Sequence, residues 1–166
     1  GVSAETVEAA FVAVVAERRA QQAHWGPAST TALTRAFAAL AERGIVAREH
    51  FSCCGTCASG EIFDERDDTR TWRGYIYYHQ QDTDRLIEDR STYIGYGAFL
   101  DAWTTEAEWT ALPEAQRDQR YAQIVTNLMR EEVIPVLEAH GATVAWDGNL
   151  GTRIHLANVD YLVRLP

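Results

Sequence analysis

Gly74-Tyr-Ile-Tyr-Tyr-His79 decides how this chain is read. A run of β-formers without a proline makes a strand, and it ends on a histidine. Further along, Thr92-Tyr-Ile-Gly-Tyr-Gly-Ala-Phe99 reads as a second strand whose two glycines signal a bulge or a close backbone approach. Between them, Gln81 to Asp89 is polar and predicts a short helix capped by Asp82 or Thr83. Upstream, Ile45-Val-Ala-Arg-Glu-His-Phe51 reads as a strand running into a loop. Downstream, Thr143-Val-Ala-Trp146 and Thr152-Arg-Ile-His-Leu156 read as a hairpin around Asp147-Gly-Asn-Leu-Gly151, and Val159 to Arg164 as a closing strand.

Helical spacing frames this β-rich centre. Val7, Ala10, Phe11, Val14 and Val15 recur at helical period behind Ser3 as N-cap, and Trp25-Gly26-Pro27 breaks that helix. Ser29 or Thr30 can cap a second helix with Leu33, Phe37 and Leu40 as its buried stripe and Gly44 at its end. Tyr121, Ile124, Val125, Leu128, Met129, Val133, Val136 and Leu137 form the stripe of one long helix that ends at His140-Gly141. Pro135 lies inside it and predicts a kink, because it has no amide hydrogen and crowds the carbonyl of Glu131. The expected fold is α+β: a mostly antiparallel sheet of five to six strands, with two N-terminal helices and one long helix packed on one side. Residues 1–166 read as a single domain, with 1–28 a peripheral N-terminal helix and 101–119 a polar, mobile insert.

Composition narrows the function. The chain has 166 residues, 46% of them hydrophobic, enough for a real core. Its formal net charge is −9, and all 15 basic residues are arginine, a pattern associated with high-GC bacterial coding. Two short helices around a turn permit a helix-turn-helix, but an acidic surface argues against nucleic acid as a partner. The apolar run from Phe11 to Ala16 is far too short to span a bilayer, which argues against a membrane, and no secretory leader opens the sequence. The expected location is cytoplasmic.

That location bears on Phe51-Ser-Cys-Cys-Gly-Thr-Cys57, which holds all three cysteines of the chain. In a reducing compartment, clustered thiols point to a metal or to redox chemistry rather than to a structural disulfide. Two residues between Cys54 and Cys57 let a tight turn put both sulfurs on one side, with Gly55 supplying an unusual backbone angle. Cys53 joins them only if the chain has already left the strand. A tetrahedral zinc site then lacks one ligand, and His79 is the first choice for it, ahead of His50, Glu61 and Asp82. Soft thiolates hold Cu(I) equally well.

A thiol enzyme or redox sensor using Cys54 or Cys57 is the alternative, with His79 or His50 as activating base. A thioredoxin-like arrangement is not expected: Ala58-Ser-Gly60 starts a helix poorly, no strand–helix–strand pattern is evident, and no proline precedes a strand facing the loop. A third reading is inert packing of three small side chains in an acidic, non-catalytic interaction or immunity-type protein. His79-Gln-Gln-Asp82 shows a base and a carboxylate at a strand end, although Asp82 also suits a helix cap. Trp146-Asp147-Gly148 suits a hairpin turn, and Asp64 to Asp68 a solvated loop. Tyr75, Tyr77, Tyr78, Tyr93 and Tyr96 either line a pocket or pack the core with their hydroxyls at its rim.

Taken together, F-S-C-C-G-T-C, G-Y-I-Y-Y-H-Q-Q-D, Y-I-G-Y-G and V-A-W-D-G followed by R-I-H-L are similar to an uncharacterised bacterial domain family common in actinobacteria. The resemblance runs from about Leu33 to Leu162. Its matching positions are Cys53, Cys54, Cys57, Glu61, His79, Gln81, Asp82 and Asp147. It implies that the cysteine loop and the His79 strand belong together, and it supplies no activity. The leading expectation is therefore a cytoplasmic Cys3His metal domain of Cys53, Cys54, Cys57 and His79, whose partner is an unknown protein or small molecule.

Overall fold

The computed structural model describes residues 2–24 and 30–162. Residues 31–161 form one compact unit; of the described residues, 2–24, 30 and 162 belong to a second. The second unit carries helix α1 (Ala4–Ala23), whose N-cap is Ser3: its hydroxyl accepts from the Thr6 amide. Its apolar residues lie open, with Val7, Phe11 and Val14 at 57%, 68% and 64% exposure. The breaking segment Trp25 to Pro27 and the cap candidate Ser29 fall outside the described residues.

The main unit starts with α2 (Ala32–Glu42), capped by Thr31 rather than Thr30, and Leu33, Phe37 and Leu40 are buried as the spacing required. Gly44 ends it at φ +78°, a left-handed angle that only glycine adopts freely. Five strands follow in one sheet: β1 (Ile45–Arg48), β2 (Gly74–Tyr77), β3 (Ser91–Ala98), β4 (Thr143–Ala145) and β5 (Ile154–Ala157). Their spatial order is β1-β2-β3-β5-β4. β1 and β2 are parallel, in the register Ile45 with Gly74 through Arg48 with Tyr77; the other pairings are antiparallel. The fold is thus α+β with a mixed, mostly antiparallel sheet.

Side chains alternate across a strand, so the sheet has two faces with different contents. Ile45, Ala47, Ile76, Ile94, Ile154 and Leu156 point into the main core with Leu33, Phe37, Leu40, Leu128 and Leu137. Val46, Tyr77 and Phe99 face the other way, into a smaller cluster with Ala58 and Ile62. Helices therefore cover both faces, not one as expected. The small cluster lies under α3 (Gly55–Glu61) and the 3₁₀ turn Ile62–Glu65.

The two glycines of β3 explain the pairing with β2. Tyr75 stands opposite Gly97 and Tyr77 opposite Gly95. A Cβ on Gly95 would lie 2.6 Å from the Tyr77 ring, and one on Gly97 would strike the Tyr75 ring. Each tyrosine lies flat over a glycine, so the close approach anticipated at these positions is that of aromatic rings.

α4 (Gln80–Asp89) follows β2 with His79 at its N-cap, so neither Asp82 nor Thr83 caps it. Both lie in its first turn and are buried. Residues 101–119, expected as a polar insert, hold the end of the 3₁₀ turn Leu100–Ala102, helix α5 (Glu106–Ala111) and the start of α6 (Glu114–Leu128). Thr105 and Glu108 close a capping box on α5. The long helix widens into a π turn at Met129–Val133 and continues as α7 (Ile134–Ala139). The wide turn meets the crowding and the missing donor that Pro135 imposes on the residues just before it. The anticipated closing strand is not formed over residues 159–162, and its end lies outside the described residues. Asn158 takes a left-handed φ of 59°, which breaks the extended run after Ala157.

Candidate metal centre

Parallel pairing sets the site. β1 and β2 both end at the same edge of the sheet, with Arg48 beside Tyr77. Whatever follows each strand must therefore emerge side by side: the cysteine loop from β1, His79 from β2. Pairing continues a little past the strands, as the Phe51 amide donates to the Tyr78 carbonyl (2.9 Å) and the Gln80 amide to the Ser52 carbonyl (3.1 Å).

Two left-handed residues, His50 (φ 51°) and Ser52 (φ 57°), turn the chain out of the sheet. They do the work assigned above to Gly55, which is not among the positive-φ glycines. Beyond that turn Cys53 is no longer bound by strand alternation, and it joins the other two thiols: the Sγ atoms of Cys53, Cys54 and Cys57 all lie within 4.8 Å of one another. All three are free cysteines, Cys53 and Cys57 exposed and Cys54 half-buried.

Helix α3 begins directly after Cys54, with the Ala58 amide donating to the Cys54 carbonyl at 2.9 Å. The segment judged a poor helix start is helical, and β1, α3 and β2 form the parallel strand–helix–strand unit that the sequence did not reveal. Tertiary contacts override the weak propensity of Ser59 and Gly60. Ala58 is fully buried against the sheet, and the Ser59 hydroxyl meets the Gly55 carbonyl (2.8 Å) and the Tyr77 hydroxyl (3.0 Å).

The thiols differ electrostatically. The Cys57 amide, then the thiols of Cys57 and Cys53, draw the Cys54 pKa below its ordinary value. Hydrogen bonds with the thiols of Cys53 and Cys54, reinforced by the negative charge building on them, push Cys57 up to about 11.

His79 lies on the same face as Tyr75 and Tyr77, two residues apart along the strand direction. It is buried, and a Cβ on Gly55 would lie 3.6 Å from its Cδ2 and Nε2, so the imidazole borders the start of α3. His79 is not part of the converging thiol group. Its Nε2 is 3.1 Å from Arg153 and 3.1 Å from Asp82, while its buried Nδ1 has no hydrogen-bond partner. Burial lowers the His79 pKa, with Asp82 opposing and Arg153 reinforcing the shift. Asp82 itself accepts two hydrogen bonds from Arg153, at 2.6 and 3.1 Å.

Arg153 is the residue that sequence reading missed. It immediately precedes β5, and its guanidinium lies 5.1 Å from the centre of the Tyr93 ring. The other candidates have separate places. His50 Nδ1 is 2.6 Å from the Thr83 hydroxyl, and Glu61 is exposed at the end of α3. Asp147 forms the turn of the β4–β5 hairpin, accepting from the Asn149 amide and the Thr152 hydroxyl at 2.9 Å each. The tyrosines do not share one pocket. Tyr75 and Tyr77 stack on each other, Tyr78 reaches Glu49, and Tyr96 donates to backbone carbonyls of the hairpin turn. Tyr93 borders a cleft of about 270 Å³ with Asp82, Arg85 and Arg153.

Among the described residues, no helix is long and apolar enough to cross a membrane. The chain belongs to the family described as a domain of unknown function (DUF6891), whose model matches residues 1–165 and so takes in the N-terminal helix as well. No curated protein and no solved structure matches it.

Proposed function

We propose that this is a small cytoplasmic metal-binding domain that holds one zinc-like ion on Cys53, Cys54 and Cys57, with His79 as the fourth ligand. The observation that carries the reading is the convergence of three free thiols within 4.8 Å. Zinc–sulfur bonds of about 2.3 Å place tetrahedral sulfurs about 3.8 Å apart, so a small inward rotation of the thiol side chains suits an ion. The donor set is soft and fits zinc or Cu(I). His79 supports the reading because the Cδ2–Nε2 edge of its ring borders the start of α3; Nε2 would bind the ion in place of its contacts with Arg153 and Asp82. A bound ion would fasten the cysteine loop to the end of β2 and fix the surface it offers to a protein or small-molecule partner.

Elemental analysis with thiol titration tests this. Protein purified under reducing conditions is expected to carry one zinc or copper ion per chain and to expose three reactive thiols only after chelation. His79→Ala is expected to weaken retention of the ion with all three thiols still present. A metal-free protein whose thiols all react at once, and which takes up neither added zinc nor Cu(I), overturns the reading.

A further inference from the structure

We infer that Cys54 and Cys57 carry out thiol–disulfide exchange with a low-molecular-weight disulfide and close a bridge with each other, and that this exchange discharges the metal centre. The discharge rests on the metal-binding reading above; the exchange does not.

Geometry admits the pair. Cys54 is the N-cap of α3 and Cys57 lies in its first turn. Residues three apart in a helical turn have Cα atoms about 5 Å apart, inside the disulfide window of about 4.4–6.8 Å. Their sulfurs already lie within 4.8 Å, so side-chain rotation carries them towards a bond of about 2.05 Å. Cys53 is a poor alternative partner for Cys54. Adjacent cysteines bridge only through a small ring that forces the peptide between them out of planarity, and Cys54 is fully extended at φ −156°, ψ 171°.

One thiolate of the pair attacks one sulfur of the small disulfide and expels one thiolate, leaving a mixed disulfide. The other cysteine of the pair then gives its proton to water, attacks the protein sulfur of that mixed disulfide and expels the second thiolate. Two protein thiols are oxidised and one external disulfide is reduced to two thiols. Of the sulfur ligands only Cys53 is left, and one thiolate with one imidazole cannot close a tetrahedral site.

Glutathione disulfide is the probe, applied to the full-length reduced chain with and without a stoichiometric load of zinc. The expected products are a Cys54–Cys57 disulfide found by peptide mass mapping, one alkylatable thiol at Cys53, and zinc released to a chromogenic chelator in step with disulfide formation. Cys54→Ser and Cys57→Ser are each expected to yield no internal disulfide; Cys53→Ser is expected to lose zinc yet still form the disulfide. A mixed disulfide that stops at Cys53, or no thiol loss at all, overturns the exchange while leaving metal binding intact. Disulfide formation in a chain that never held zinc upholds the exchange and overturns the metal reading and the discharge with it.

Discussion

Gly95→Ala tests the packing on which the cysteine loop depends. An alanine Cβ would lie 2.6 Å from Tyr77 Cζ and 2.9 Å from its Cε2 and hydroxyl. Carbon atoms rest about 3.5–4.0 Å apart, so the ring must retreat by roughly 1 Å. It retreats towards α3, where its hydroxyl meets Ser59 at 3.0 Å and where Val46, Ala58, Ile62 and Phe99 are already buried. Overpacking of this kind costs about 1–3 kcal/mol, and the lower backbone entropy of alanine returns about 0.5–1 kcal/mol, for a net loss near 0.5–2 kcal/mol. Gly60→Ala is the matched control, because it lies in α3 with open space around its Cβ position and should gain up to about 1 kcal/mol. Urea unfolding of both variants at equal slope gives the difference directly. Alkylation rates of the three thiols should change in Gly95→Ala as α3 shifts, and stay as they are in Gly60→Ala. If Gly95→Ala proves as stable as Gly60→Ala, Tyr77 is not packed against β3 as described. If it is destabilised but the thiols react as before, the Tyr77–Ser59 contact does not position the cysteine loop.

Removing a ligand should affect metal and stability together: Cys57→Ser is expected to lower metal content and melting temperature in parallel, because binding energy at such a site is folding energy, and retained metal at an unchanged melting temperature would refute the ligand set. Arg153→Ala leaves Asp82 buried without its two guanidinium hydrogen bonds. With the Arg153 head 41% exposed the cost is a discounted 1–3 kcal/mol or so, measured by denaturant unfolding, and no loss would show that water replaces the arginine freely. The His79 shift fixes the sign of a pH effect. Its folded pKa is depressed, so the unfolded chain takes up the proton first, and metal-free protein should lose stability as pH falls below about 6.5, levelling off beneath the folded value. His79→Gln should flatten that part of the curve; an unchanged pH profile would mean that His79 does not titrate in this range.

Local signals were legible in the sequence and long-range ones were not. Tyr75 and Tyr77 announced β2, and Gly95 and Gly97 announced a close approach, because both are properties of a few adjacent residues. The cysteine heptapeptide was legible for the same reason, whereas its nearness to His79 depends on strand pairing between distant residues. The strand–helix–strand unit escaped because α3 has only seven residues, two of them glycines, and is held by Ala58 and Ser59 docking on the sheet rather than by propensity. Arg153 escaped because its place beside Asp82 depends on the register of β5 against β3, Ile94 with Ile154, which no local pattern encodes. The left-handed turn fell to His50 and Ser52, residue types that reveal nothing of the kind in sequence, while the glycine credited with it has an ordinary angle.

The parallel pairing of β1 with β2 is what brings the cysteine loop and His79 to the same end of the sheet. Side-chain alternation puts His79 on the face of Tyr75 and Tyr77, and parallel direction puts the end of β1 at the same edge. Had the two strands run antiparallel, the cysteine loop would leave from the opposite end of β2, four residues of strand away from His79 at about 3.3 Å per residue. The crossover that parallel pairing demands then explains α3 itself: the chain must return across the small-cluster face to begin β2, and the first turn of that return holds Cys54 and Cys57. The placement of the cysteine loop near His79 is thus a consequence of topology, and a disturbance of the β1–β2 register should disperse it. Val46→Asp buries a carboxylate in the small cluster beneath α3, and should raise the reactivity of all three thiols before the main core unfolds; loss of structure in a single step, with no earlier thiol exposure, would show that the two faces of the sheet are not separable in this way.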